Sequence, residues 1–189
     1  SINTNNAVQI VSDPANSCNA VDYYIRVAGD ASAQGEFTIC VENFAASACG
    51  NATVVPATLP QNYTCQTTCG SVNDYNSTMG CLSPYMNGED YVYTYTPTTI
   101  ANSCIRITVS NTGAGSNPGI FVLNNCPNVG GVSCLASATA VGPTVAISSV
   151  SLTIGTTYYI VVSNNNTPAC IPFDIQFAMA GLAPGNDDP

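Results

Sequence analysis

Residues 90–96 read DYVYTYT, with Tyr91, Tyr93 and Tyr95 on one side of an extended chain and Val92, Thr94 and Thr96 on the other. A period of two in aromatic and β-branched residues predicts a β-strand. Similar segments follow at CIRITVS (104–110), GIFVLNN (119–125), VAISSVSLTI (145–154), TYYIVVS (157–163) and FDIQFAMA (173–180). Each is bounded by Gly, Pro, Asn or Ser, the residues that end strands in turns. No stretch keeps a 3.6-residue apolar period for three turns. Short strands with turn signals between them predict an all-β fold, an antiparallel β-sandwich of two packed sheets.

The pattern contains an echo. YYIRV at 23–27 and YYIVV at 158–162 each lead through a polar loop into a Phe-x-Ile strand, FTICVE from Phe37 and FDIQFA from Phe173. The order and near-equal spacing predict tandem modules. On this reading residues 1–44 are the closing strands of a preceding sandwich and residues 45–183 a complete one. Residues 184–189 are a linker to a next module. A 44-residue part of a sandwich buries little core alone and leans on its neighbours.

Composition narrows the function. The chain has 189 residues, 46 % of them hydrophobic, so a core is available, yet only 7 % are charged. Ordinary soluble domains carry roughly 25 %. Asn, Thr, Ser and Gly supply the polar surface instead. With only Arg26 and Arg106 as cations and a net charge of -9, the chain lacks what a phosphate backbone requires. Nucleic acid is excluded as a partner. No apolar run approaches the roughly 18 residues of a membrane span, so no membrane insertion is expected. Ten cysteines with no His and no CxxC pair point to disulfides rather than zinc. Disulfides place a protein in an oxidising, extracellular compartment. All ten are therefore read as disulfide cysteines: Cys18, Cys40, Cys49, Cys65, Cys69, Cys81, Cys104, Cys126, Cys134 and Cys170. Cys126 and Cys134 bracket a Pro- and Gly-containing turn, Cys69–Cys81 would close the NDYN loop, and Cys49–Cys65 would tie the first strand. Cys18–Cys40 remains by elimination. Spacing alone does not fix connectivity.

CGNATVVPATLPQNYTC (49–65), CGSVNDYNSTMGC (69–81), GEDYVYTYTP (88–97), CPNVGGVSC (126–134) and GTTYYIVVS (155–163) together resemble β-sandwich modules of very large secreted Bacteroidetes proteins. These include gliding and surface adhesins exported by the type IX secretion system. The segments are also similar to pre-peptidase C-terminal domains, small jelly-roll-like accessories of secreted proteases. The resemblance covers about 45–183, with 1–44 as the tail of a preceding copy. It implies a disulfide-stapled, non-catalytic stalk or adhesive module at the cell surface. The expected partners are neighbouring modules, surface glycans, or other copies in a filament. It also favours a Cys104–Cys170 bridge, each cysteine standing at the start of a strand. The alternative is a carbohydrate- or protein-binding accessory domain of a secreted hydrolase.

Three carboxylates are the candidate chemistry. Glu89 and Asp90 lie side by side at the front of the Tyr-rich strand, and Asp74 sits in the loop before it. Neighbours on a strand point to opposite faces, so the adjacent pair does not suit a catalytic dyad facing one bond. No Trp is present to floor a sugar cleft, and no His or Lys to activate a nucleophile. Oxygen-rich loops do suit Ca²⁺, which takes carboxylate, amide and carbonyl oxygens. The resemblance implies the same, since related accessory domains bind calcium near an acidic strand start. Asp74, Glu89 and Asp90 are thus the candidate calcium ligands, against the blander reading of a solvated, hydrogen-bonded loop. The tyrosines are read as core and rim of the sandwich rather than as a ligand platform. GAGSNPG (113–119) has no following helix and no Lys, and is read as a turn.

Overall fold

The computed structural model describes residue 46, residues 48–165 and residues 167–181. The preceding module expected at 1–44 and the linker at 184–189 lie outside the described residues. Among the described residues nine strands form: β1 (Thr53–Val55), β2 (Gln61–Thr67), β3 (Tyr91–Tyr95), β4 (Cys104–Ser110), β5 (Pro118–Leu123), β6 (Cys134–Thr139), β7 (Val145–Ser151), β8 (Tyr158–Asn164) and β9 (Pro172–Met179). They make a five-stranded sheet in the order β1-β3-β8-β5-β6 and a four-stranded sheet in the order β2-β9-β4-β7. All pairings are antiparallel except β1 with β3. The fold is a disulfide-stabilised β-sandwich.

The six strands expected from alternation are present with bounds shifted by at most a few residues. The sequence pattern passed over β1, β2 and β6. β2 and β6 are largely polar or small, half-exposed or exposed along most of their length, and lie at sheet edges. Edge strands have one side and often one face in water, so they lack a strong apolar signal.

The inter-sheet core is built from Tyr93, Tyr95, Ile105, Ile107, Ile160, Phe173 and Phe177 with their neighbours. Tyr93 packs edge-on against Phe177, ring centres 5.4 Å apart, and Tyr91 lies against Phe173 at 5.6 Å. Edge-to-face contacts of this kind add to simple area burial. The tyrosines of β3 are therefore core, as their alternation requires.

The opposite face of the five-stranded sheet is not open to water. Val92, Phe121, Leu123 and Val161 are fully buried there beneath Tyr75 and Met86. β5 is buried at all six positions. A strand buried on both faces has no polar side to show, which explains the unbroken apolar run of GIFVL. The cover is the irregular segment between β2 and β3, together with the single 3-10 turns Cys49–Asn51 and Pro84–Met86. At Gly80 the segment comes so close to the sheet that an added Cβ would lie 2.6 Å from the Leu123 side chain.

Disulfides hold that cover down. Cys49 bonds Cys126, Cys69 bonds Cys170 and Cys81 bonds Cys134, with Cα separations of 5.9, 4.8 and 4.9 Å. Four expected pairings are corrected: Cys126–Cys134, Cys69–Cys81, Cys49–Cys65 and Cys104–Cys170 do not form. Cysteines near in sequence take different partners: Cys49 and Cys81 of the cover bond Cys126 after β5 and Cys134 at the start of β6, and Cys69–Cys170 closes the end of the β2–β9 pair, so none closes a local turn. Sequence separations of 53 to 101 residues make each worth about 4–5 kcal/mol in the chain-entropy account. Cys65 is also disulfide-bonded, whereas Cys104 is a free, half-buried thiol with its Sγ 3.3 Å from the Ser149 hydroxyl. The Cys18–Cys40 pairing lies outside the described residues.

If the cover packs as a true core, Phe121→Ala should cost about 3–5 kcal/mol, as much as Phe177→Ala between the sheets. Urea unfolding under non-reducing conditions measures both. A Phe121→Ala cost under about 1 kcal/mol would show that the covering segment merely lies on the sheet.

Candidate functional site at the start of β3

Asp90 ends the covering segment and leads into β3. Its carboxylate is fully buried. Oδ2 accepts the Tyr75 backbone N–H at 2.9 Å, while Oδ1 has no hydrogen-bond partner. Burial pushes its pKa up to about 7, opposed by the Tyr75 amide, the Ser163 hydroxyl and the Asp74 amide, and reinforced by the Asp74 charge. The bond to Tyr75 positions more than a loop. The Tyr75 hydroxyl accepts the Cys49 N–H at 2.9 Å and lies 3.3 Å from the Cys126 sulfur, so the tyrosine spans from Asp90 to a disulfide.

Glu89 does something different. Its Oε2 accepts the Gly70 N–H at 2.8 Å, closing the turn beside Cys69, and its own N–H donates to the Ala169 carbonyl. Asp74 is half-buried in the covering segment and close enough to Asp90 to raise its pKa. Asp74 and Asp90 are thus neighbours, and Glu89 is engaged elsewhere. Among the described residues no group of three or more His, Cys, Asp or Glu side chains comes together in a form that could hold a metal ion.

The backbone before Asp90 is held on both sides. Gly88 N–H donates to the Asn164 carbonyl at 2.7 Å, and the Ser163 hydroxyl donates to Gly88 O at 3.4 Å. A Cβ at Gly88 would fall 1.8 Å from Asn164 Oδ1 and 2.8 Å from Ala169 O, so no larger residue fits. Asn87 Oδ1 accepts the Ser77 N–H, and the Asn73 side-chain amide donates to Asn87 O. Asp90 N–H reaches the Val72 carbonyl at 3.4 Å. Three segments therefore meet: 70–75, 87–90 and 163–170.

Four buried side-chain atoms among the described residues lack a hydrogen-bond partner: Ser71 Oγ, Asp90 Oδ1, Asn164 Oδ1 and the Tyr93 hydroxyl. The first three belong to this junction. Ser71, Tyr75 and Asn164 were not legible as site residues. Asn164 sits in an Asn-rich run that reads as a loop, and nothing in the sequence sets Ser71 apart from other turn serines.

A second feature lies on the outer face of the four-stranded sheet. Asn62, Thr64, Thr108, Ser110, Asp174 and Gln176 line a shallow groove there. Gln176 donates to Asn62 Oδ1 at 2.8 Å, and Asp174 Oδ1 accepts the Cys65 N–H at 2.8 Å, where β2 bulges.

No protein-family model and no curated protein sequence matches the chain. Among solved structures it is similar to a surface-associated copper-binding protein important in copper acquisition by Methylomicrobium album BG8. That alignment covers 68 % of this chain and 97 % of the other, at 9 % identity and a TM-score of 0.43. At that score the likeness assigns no function.

The buried carboxylate predicts a pH signature. A carboxyl whose folded pKa is raised is favoured in its protonated form, so its contribution is fully present below about pH 4. It is lost as pH rises to about 7. With divalent ions chelated, Asp90→Asn should match the parent in stability near pH 4 and exceed it above pH 7. The excess is on the order of 4 kcal/mol if the amide keeps the Tyr75 hydrogen bond. Urea unfolding across pH 4–8 measures it, and a pH-independent difference between the two proteins would refute it.

Proposed function

We propose that this chain is a non-catalytic structural and adhesive module of a large extracellular, cell-surface protein. The tandem modules of Bacteroidetes adhesins exported by the type IX route, which its sequence resembles, are the working comparison. The observation that carries the reading is the cross-linking: two disulfides bolt the covering layer to the five-stranded sheet, and a third ties the start of that layer to the entry of β9. Such bonds persist in oxidising surroundings and are rare in the cytosol. The scarcity of charge supports it as well, because Asn, Thr and Ser hydrate a surface without making it a substrate for proteases that cut at Lys or Arg. Support for a non-catalytic role comes from the two adjacent carboxylates, each committed to a different backbone amide. Its partners on this reading are neighbouring modules of the same chain.

The groove on the four-stranded sheet favours a second reading, an accessory domain that binds neutral glycans. Its Gln176 and Asn62 amides are held by a hydrogen bond to each other beside the hydroxyls of Thr64, Thr108 and Ser110, but among the described residues no exposed aromatic platform accompanies them.

Antibodies raised against residues 46–181 test the first reading on intact encoding cells. They should label the cells, and the signal should vanish after brief surface proteolysis that leaves a cytoplasmic marker intact. Signal that appears only after lysis would overturn it. Binding of the isolated protein to immobilised neutral oligosaccharides, lost in Gln176→Ala at unchanged Tm, would instead favour the accessory domain.

A further inference from the structure

We infer that the outer edge of β2 is the docking edge for the stretch of this chain before residue 46, pinned there by a disulfide from Cys65 to Cys18 or Cys40. The cysteine count identifies the tether. The chain has ten cysteines. Six of them pair with one another, as Cys49–Cys126, Cys69–Cys170 and Cys81–Cys134, and Cys104 is a free thiol. Cys65 is disulfide-bonded all the same. The cysteines left to bond it are Cys18 and Cys40, both before residue 46. Such a bond replaces the Cys18–Cys40 pairing that spacing gives by elimination.

The geometry of β2 identifies the edge. The strand pairs with β9 on one side, and among the described residues no strand pairs with its other side. An edge of this kind presents backbone N–H and C=O groups that a second segment can complete. It is firmly seated, because Tyr63 packs against Tyr93 and Phe177 with ring centres 5.5 and 6.2 Å away. At Cys65 the register shifts and the backbone takes a left-handed φ of 57°, a costly conformation for a residue with a Cβ. Asp174 Oδ1 accepts the Cys65 N–H at 2.8 Å and holds that conformation. Cys65 is exposed, so its bond is made at the surface and not within the core. The chain also enters on the correct side of the sandwich. Ala46 O accepts the Val92 N–H, next to the Tyr93 ring that Tyr63 packs on, and Tyr63 lies two residues before Cys65. Cys40 is six residues from Ala46, an extended reach of about 20 Å, and Cys18 has a longer one. Either can therefore meet Cys65 without crossing the core. The inference does not rest on the adhesive reading, since the tether can form or fail in any oxidising compartment.

Peptic mapping of the monomeric full chain tests the tether, with the oxidised protein kept acidic so that thiolates cannot exchange disulfides. A peptide carrying Cys65 should be joined to one carrying Cys18 or Cys40 and should separate from it on reduction. Cys65 recovered as a thiol, or joined to any cysteine after residue 46, would overturn the inference. Hydrogen exchange followed by mass spectrometry tests the docking. Peptides from β2 should exchange about tenfold faster in Cys65→Ser than in the parent, with β4 and β5 unchanged. Equal exchange of β2 in the two proteins would overturn the docking edge. Should Cys65→Ser fail to fold, the peptide map of the parent decides.

Discussion

The five-stranded sheet has apolar side chains on both faces, and everything else follows from the need to cover both. The four-stranded sheet covers one face in the ordinary manner of a sandwich, strand against strand. The other falls to an irregular segment with only single 3-10 turns, which has few backbone hydrogen bonds of its own to hold its shape. Burial of Phe121, Leu123, Val161 and Val92 pulls the segment onto the sheet, but irregular backbone loses much entropy on ordering. The three disulfides reduce that entropy cost from the unfolded side, each by shrinking a long loop. Removal of the cover would leave a large apolar surface in water.

Polar contacts then set the cover's shape. Tyr75 is the link between them, since one end of the residue is fixed by Asp90 and the other touches the Cys49–Cys126 bond. Asn87 accepts from both the Asn73 side chain and the Ser77 backbone across the segment, and Glu89 closes the turn at Gly70. Side chains that would be turn formers on an open surface here replace a missing sheet ladder. The cost is paid at Asp90, a buried carboxylate with one oxygen unsatisfied.

The sequence made the central strands plain because alternation between an aromatic core and a second apolar face leaves a strong record. Tyr91, Tyr93 and Tyr95 could be assigned to one side from the sequence, and the inter-sheet packing agrees. Burial of Val92 on the other side could not, because the cover comes from residues whose composition reads as loop. β2 and β6 escaped for the opposite reason: QNYTCQT and CLASAT lie at edges and carry little apolar content. Disulfide wiring was the least legible property. Local spacing suggested short loops, but connectivity is decided by which layer each cysteine occupies. At the start of β3, Asp90 was visible as a candidate, whereas Asn164 and Ser71 join it only through the tertiary fold.

The wiring has a mechanical consequence. Tension applied at residues 46 and 181 reaches Cys49 at once and leaves through Cys170 and β9. Through the bonds between described residues it has two covalent routes from Cys49 to Cys69. One runs directly through β1 and β2. The other crosses to Cys126, follows the short turn to Cys134, crosses to Cys81 and returns along the cover. Both meet at Cys69 and cross to Cys170. Strands β3 to β8 hang in covalently closed loops beside that path, so a steady pull cannot draw them out while the bonds remain oxidised. The module would yield a short extension and then stop, behaving as an inextensible link rather than a spring.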